Sequence, residues 1–344
     1  MIELAAMTAR SGRVALSPIT QRIEPGRVVA LLGTPADGVA LVLAAIAGRE
    51  AVRSGTIDVM GARAGAAAAR RLVAYVPIDA RLPDALRVDE ALRVAREVRG
   101  EPPQGHADRL GALGVAPLER RAVRTLSAEE VRAVALAEAV TSTAARVILV
   151  DEPYVTMDPR AVPLVAKALR ARAAAGACVV VATASPREAH DLAEDVMVFD
   201  RGRLVRRSPP WDPVLVDGPR GVLFRLIASD ARALASALAQ DAAVRRVETD
   251  GRVVLAQGEL RLPLAEAIAR AVKASGVDIE LMRSEVPVLD ELRAAAAGDV
   301  AGAYRAAMDR AQRAAHRPPS SPPPPRPPEP PSLPPPGEST GDAP

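Results

Sequence analysis

Val28-Val29-Ala30-Leu31-Leu32-Gly33-Thr34-Pro35-Ala36-Asp37-Gly38-Val39-Ala40, followed by an apolar run from Leu41 to Ala47, has the order of strand, glycine-framed loop and helix in which proteins hold phosphate. In the working form, G-x-x-x-x-G-K-[ST], backbone N–H groups cradle the phosphates, the lysine neutralises the terminal one and the hydroxyl reaches Mg²⁺. Gly33 and Gly38 keep that spacing, but the last two places are Val39 and Ala40. Pro35 removes a backbone donor. Asp37 sets a carboxylate where the anion would sit, at the positive end of the following helix. The expectation is a phosphate loop filled by its own side chain, with Asp37 serving as N-cap of a helix from Gly38.

Four further segments extend this reading. Arg146-Val147-Ile148-Leu149-Val150-Asp151-Glu152-Pro153 is a buried-strand pattern ending in two adjacent carboxylates, and Thr156-Met157-Asp158-Pro159 follows it. Upstream, Thr125-Leu126-Ser127-Ala128-Glu129-Glu130 opens a helix through Val134-Ala135-Leu136-Ala137-Glu138-Ala139, and Asp200-Arg201-Gly202-Arg203-Leu204-Val205 reads as a hairpin. Together the five segments resemble the ATP-binding cassette (ABC) ATPases over about residues 1–210. The resemblance implies an α/β core of P-loop type carrying a helical insert at about 77–144. It also implies roles for single residues. Asp151 would hold Mg²⁺, Glu152 would be the general base, Ser127 would lie in the signature and Asp158 in the D-loop.

The departures from the family are systematic. Where it has an adenine-stacking aromatic this chain has Ser11. At the glutamine that links Mg²⁺ to the membrane partner it has Ile78, and at the switch histidine Ala184. Both signature glycines are replaced, by Ala128 and Glu129. Like charges near 4 Å cost on the order of 4 kcal/mol at an effective dielectric of 20, and Asp37 and Glu129 would each face triphosphate from a different side. Phosphoryl transfer rests on positioning and charge neutralisation, the terms removed here. The only lysines, Lys167 and Lys273, are far from the loop in sequence; an arginine could offer the charge instead, with Arg70 or Arg71 as the candidates. Because the family sandwiches nucleotide between the loop of one subunit and the signature of the other, the losses spoil both composite sites of a homodimer and one half of each site in a heterodimer.

Composition bounds the alternatives. A chain of 344 residues with 49% hydrophobic content can build two cores and a tail. The single cysteine, Cys178, sits in an apolar strand pattern, which fits a buried, inert thiol and a reducing setting. No apolar stretch is long enough to cross a bilayer, and Met1-Ile2-Glu3-Leu4 lacks the pattern of a leader. Net charge is +3, with arginines interleaved among acids, and only 2% of residues are aromatic, so nucleic acid is not an expected partner. His106, His190 and His316 are scattered and carry no ligand spacing for a metal.

The α/β core is expected at about 1–76 and 145–210, with alternating strands and helices giving a mostly parallel sheet. Helices are expected at Val88 to Arg99 and Glu129 to Ala139 inside the insert, with Pro77, Pro83 and the Pro102-Pro103 pair at its entry. Pro209, Pro210 and Pro213 mark a linker. Beyond it, strand (Gly221 to Ser229), helix (Asp230 to Gln240), hairpin (Val244 to Thr249 and Val253 to Gln257 across Asp250-Gly251), helix (Leu262 to Ala274) and strand (Val277 to Arg283) give the order of a ferredoxin-like α+β domain over 219–298. With Pro287-Val288-Leu289-Asp290-Glu291-Leu292 at its close, it resembles the accessory domain of drug-resistance and polysaccharide-type ABC exporters. Residues 299–317 read as a helical extension and 318–344 as a disordered Pro-rich tail.

Three functions follow. The leading expectation is an ABC-like subunit of a membrane export system that no longer hydrolyses ATP, docks on membrane-spanning subunits and pairs as a homodimer or with a competent ATPase. It would work on the cytoplasmic side, peripherally on the inner face of the membrane, with no tightly bound cofactor. The second is an active, unconventional ATPase using ATP and Mg²⁺, supported by Asp151 and Glu152. The third is a soluble interaction protein recruited through the Pro-rich tail.

Overall fold

A computed structural model describes residues 1–102, 110–111, 113–210 and 221–285. The chain opens with β1 (Ile2–Ser11), β2 (Val14–Ala15), β3 (Ile19–Ile23) and β4 (Val28–Leu32), then α1 (Val39–Ile46). β5 (Val52–Val59), β6 (Ala62–Arg63), α2 (Ala67–Leu72) and β7 (Val73–Val76) lead into the insert, which includes α3 (Val88–Arg99) and α4 (Ala128–Thr141). The core resumes with β8 (Val147–Asp151), α5 (Val162–Ala174), β9 (Cys178–Thr183), α6 (Pro186–Leu192), β10 (Asp195–Asp200) and β11 (Arg203–Ser208).

One sheet is six-stranded in the order β11-β10-β4-β9-β8-β7, parallel throughout except for the edge strand β11. Every residue of β4, β8 and β9 is buried. This is why those strands are unbroken apolar runs without polar alternation: a parallel sheet is covered on both faces. The alternation survives as a division between two cores. Val28, Ala30 and Leu32 join the core beneath α3, α4, α5 and α6, whereas Val29 and Leu31 join the one that holds α1.

The second core is closed by a sheet that the sequence expectation of simple strand and helix alternation lacks. β1 pairs antiparallel with β2, β3 and β5, and β5 with β6. Its inward residues, among them Ile2, Leu4, Met7, Ile57 and Val59, pack with Leu43 and Ile46 of α1. The register of β1 breaks around Ala6, which has φ 46°. That bulge interrupts the period-two pattern from which a strand is recognised.

In the insert, α3 starts and ends where expected and α4 begins at Ala128 under a Ser127 N-cap. Arg99 and Glu138, both largely buried, pair across the two helices.

After the linker come β12 (Val222–Ala228), α7 (Ala231–Leu238), β13 (Val244–Asp250), β14 (Val253–Gly258), α8 (Arg261–Ser275) and β15 (Ile279–Glu285). They form a four-stranded antiparallel sheet in the order β13-β14-β12-β15, with both helices against one face. Asp230 caps α7, accepting the N–H groups of Arg232 and Ala233 at 3.0 Å each. The turn at Gly251, φ 57°, closes the hairpin. Pro103, His106, Pro213, Pro287 to Leu292, the 299–317 extension with His316 and the 318–344 tail lie outside the described residues.

Candidate functional site: a self-filled phosphate loop

The loop between β4 and α1 is a short 3-10 turn, Pro35–Asp37, ended by Gly38 in the left-handed region at φ 85°. Gly38, not Asp37, is the N-cap of α1, and it offers no side chain to the helix. The expected capping role of Asp37 is therefore corrected. Asp37 is the third residue of the 3-10 turn, and its carboxylate turns back into the loop. Oδ2 accepts the Thr34 backbone N–H at 2.7 Å and the Thr34 hydroxyl at 2.6 Å. Oδ1 accepts the backbone N–H of Arg201 at 2.9 Å, and the side chain is 3% exposed.

Three more backbone donors of the loop are taken within the protein. Gly33 N–H donates to the Thr183 carbonyl at 3.0 Å, Asp37 N–H to that of Thr34 at 2.9 Å and Gly38 N–H to that of Pro35 at 3.1 Å. Val39, where a lysine would stand, is buried in the α1 core with Leu16 and Phe199, and Ala40 is half-buried. A Cβ on Gly38 would come within 2.5 Å of Leu16 Cδ2, so the chain after β2 lies directly over the loop. Arg201 and Gly202, both at positive φ, form the tight turn of the β10–β11 hairpin. Gly202 N–H donates to the Asp37 carbonyl at 3.2 Å, and a Cβ there would stand 1.9 Å from the Ala15 carbonyl oxygen. Only glycine lets the hairpin tip seat this closely. Arg70 does not reach the loop: it lines a cavity with Ala47, Gly48 and Arg49 at the opposite end of α1, and its Nε donates to the Gly65 carbonyl at 2.7 Å.

A second cluster forms at the ends of β7, β8 and β9 and unites Asp151, Glu152, Ile78 and Ala184. Asp151 is buried and accepts the Ile78 N–H; burial pushes its carboxyl up, against a lowering pull from Arg132. The Ile78 side chain itself points outward, 48% exposed. Glu152 has φ 49°, and its Oε1 accepts the Ala184 N–H at 3.0 Å. The Thr183 hydroxyl donates to Glu188 Oε2 at 2.7 Å and lies 3.4 Å from Glu152 Oε2. Burial first, then the carboxylates of Glu188 and Asp151, raise the Glu152 carboxyl above its ordinary range.

Arg132 is a site residue that the sequence reading missed. It lies in α4, 4% exposed, and donates Nη1 to the Pro77 carbonyl at 2.8 Å and Nη2 to the carbonyls of Asp151 and, at 2.5 Å, Glu152. One fixed cation thus ties the insert to the segment after β7 and to the end of β8 that carries the two carboxylates. The Arg132 guanidinium is lowered by burial and supported by Asp151 and Glu152.

Other expected positions stand apart. Ser127 caps α4 and forms a reciprocal box with Glu130, which also accepts from Arg121 at 2.5 Å. Glu129 is exposed, as a first-turn acid should be. Asp158 accepts the Arg160 N–H at 2.8 Å and, with the first turn of α4, lines a separate cavity of about 350 Å³. Ser11 donates to Glu50 at 3.1 Å, and His190 lies on the surface beside Asp191. Cys178 is buried in β9. No helix among the described residues is long and apolar enough to cross a membrane.

Residues 16–155 match the model of the ABC transporter family. A Nod factor export ATP-binding protein of Mesorhizobium japonicum is 29% identical over 216 residues, which cover 61% of this chain and 63% of that protein. A hemin import ATP-binding protein of Streptomyces coelicolor is 30% identical over 208 residues, covering 58% of this chain and 74% of its own length. Among solved structures, an ATP-binding subunit of an ABC transporter superposes with a TM-score of 0.56 at 23% identity, over 62% of this chain and 92% of that one. Its likeness shows the α/β fold of the first module. With the family model and the hemin-import relative meeting in that module, the chain belongs to the ATP-binding subunit family of ABC transporters.

Proposed function

We propose that this chain is a subunit of a membrane export system that has given up ATP hydrolysis and serves in structure or regulation. The observation that carries the proposal is the Asp37 carboxylate, which takes three donors of its own protein at the place where phosphate oxygens would need them. MgATP does not fit these residues. Asp37 would have to leave the loop, Val39 offers no charge, Ala40 offers no hydroxyl to Mg²⁺, and Ala184 cannot supply the switch imidazole. No tightly bound cofactor is assigned.

The same reading places the chain on the cytoplasmic side, held at the inner face of the membrane by membrane-spanning subunits, as a homodimer or beside a competent ATPase. The curated relatives include both an exporter and an importer component, so the direction rests on the second sheet and its two helices. Its strand order and connectivity support a ferredoxin-like accessory domain of the drug-resistance and polysaccharide exporter type, with the Pro-rich tail beyond it. Nucleic acid is not among the proposed partners.

Calorimetric titration with MgATP tests the proposal, with binding no tighter than about millimolar expected and no turnover above background. Micromolar binding, or hydrolysis that Glu152→Gln abolishes, would establish instead the second reading, an active ATPase. That reading draws on Asp151 and Glu152 standing together at the end of β8, with Glu152 oriented by the Ala184 N–H. Co-purification with membrane subunits separates both from a soluble interaction protein outside transport.

A further inference from the structure

The end of α1 opposite the phosphate loop borders a cavity of about 430 Å³ between core and insert. Arg49, Arg70, Val73 and Tyr75 line it from the core, and Ala95, Val98 and Arg99 of α3 from the insert. No carboxylate of the described residues lines it. Its three cations differ in what holds them. Arg99 pairs with Glu138 inside the insert. Arg70 donates Nε to the Gly65 carbonyl at 2.7 Å, and Gly65 is seated on the end of α1, where a Cβ on Gly48 would stand 2.3 Å from Gly65 Cα. The guanidinium is thus anchored by its inner nitrogen, which leaves its two Nη groups as a planar fork of the kind that receives two oxygens. Neither Arg49 nor Arg70 has a carboxylate partner among the described residues. A basic residue past a helix offsets the negative pole there, but that pole is worth about half a charge, less than two guanidiniums. Tyr75, half-buried, makes no hydrogen bond through its hydroxyl among the described residues. Burial first, then Asp151, Asp79 and Glu50, push that hydroxyl up to about 12 against Arg49, so it remains an O–H donor at neutral pH.

We propose that this cavity binds a small organic oxyanion with an apolar group, its charge on Arg49 and Arg70 and its apolar part against Val73, Ala95 and Val98. Size agrees, since cavities of about 300–1,000 Å³ are those that take small ligands. The apolar wall supplies the second half of the recognition: Val98 is 67% exposed beside the unpaired charge, and an apolar group laid on it would remove that surface from water. The site is distinct from the loop that Asp37 fills, because α1 separates the two. An occupant would touch α3 on one side and the end of α1 with β7 on the other, and so would set the insert against the core.

Calorimetric titration of the full chain with phenyl phosphate tests this, beside inorganic phosphate and phenol. Phenyl phosphate should saturate the protein with a Kd below about 1 mM. It should bind at least about threefold tighter than either comparison, because phosphate lacks the ring and phenol lacks the charge. Arg70→Gln should weaken it at least about tenfold. Arg71→Gln removes the same charge from an exposed neighbour outside the cavity and should change binding less than about twofold. If Arg70→Gln fails to fold, Arg49→Gln carries the same expectation of loss. Equal effects of the cavity variant and Arg71→Gln would reduce the binding to diffuse attraction by surface charge and overturn the proposal. So would inorganic phosphate binding as tightly as phenyl phosphate, or no saturation by about 10 mM.

Discussion

The Asp37 carboxylate accepts the backbone N–H of Arg201 at 2.9 Å, across 164 residues of sequence. The phosphate loop is thereby held shut by the β10–β11 hairpin, which Gly202 allows to seat against Ala15. The positive pole of α1, equivalent to about half a charge, already has an anion beside it. A triphosphate arriving at the same place meets a carboxylate where a working loop offers lysine.

Removing this carboxylate should destabilise the fold. Asp37→Ala leaves the Thr34 N–H, the Thr34 hydroxyl and the Arg201 N–H without their acceptor. Buried donors left unsatisfied cost about 1–3 kcal/mol each before relaxation and entering water, so a net loss of about 2–4 kcal/mol is expected. Asp37→Asn should cost nearly as much, since its amide would point a donor at a donor. Urea unfolding measures both, and a loss below about 0.5 kcal/mol for Asp37→Ala would show that the loop holds itself by other means.

Rebuilding the loop should recover binding without recovering chemistry. In Asp37→Ala with Val39→Lys and Ala40→Ser, the Thr34 amide is released, lysine is restored and the hydroxyl is restored. Val39 is buried, so the lysine must turn out of the core toward solvent or ligand. MgATP affinity should rise by at least about tenfold, or about 1.4 kcal/mol, while turnover stays absent because Ala128, Glu129 and Ala184 are unchanged. Robust hydrolysis by this variant would refute the weight given to those three positions.

Arg132 should matter more than its place on an alanine-rich helix suggests. Its guanidinium satisfies carbonyls of Pro77, Asp151 and Glu152 from inside the protein. Arg132→Ala removes these bonds and the countercharge to the buried Asp151 carboxylate, with an expected loss of about 3–5 kcal/mol. Arg132→Lys should recover only part of this, since one ammonium cannot span the same carbonyls in a fork. Hydrogen exchange provides the discriminating readout: amides of Ile78, Asp79, Asp151 and Glu152 should open faster in Arg132→Lys while those of β4 do not change.

What the sequence revealed and what it hid divide by range. The unbroken apolar run of β8 and the Asp250-Gly251 turn are local signals, and each appears where it was read. The antiparallel sheet of β1, β2, β3, β5 and β6 was missed because its pairing is distant and its main strand bulges at Ala6. Asp37 was placed correctly as a carboxylate inside the loop but wrongly as a helix cap, since nothing near it in sequence announces Arg201. Arg132 was invisible for a similar reason: in a helix of mostly Ala, Val and Glu, burial of its one cation depends on carbonyls contributed by two remote loops.

The last prediction concerns pH and Glu152. Its carboxyl is raised by burial and by the neighbouring Glu188 and Asp151 carboxylates. A group whose pKa is higher in the folded than in the unfolded protein contributes stability in full below the unfolded value and loses it as pH rises through the folded value. Glu152→Gln removes the ionisation yet keeps an oxygen to accept the Ala184 N–H and gains an amide that can donate toward the Thr183 hydroxyl or Glu188. The variant should therefore match the wild type at acidic pH, where both side chains are neutral, and become progressively more stable than it as pH rises through and above the ordinary carboxylate range. Because burial also raises the neighbouring Asp151 carboxyl, the midpoint of the divergence belongs to the two together. Thermal melts of both proteins from acid to neutral pH give the answer. A gap that stays constant, or a wild type that gains on the variant with rising pH, would mean that ionised Glu152 is stabilised by a cation, and would favour the active-ATPase reading.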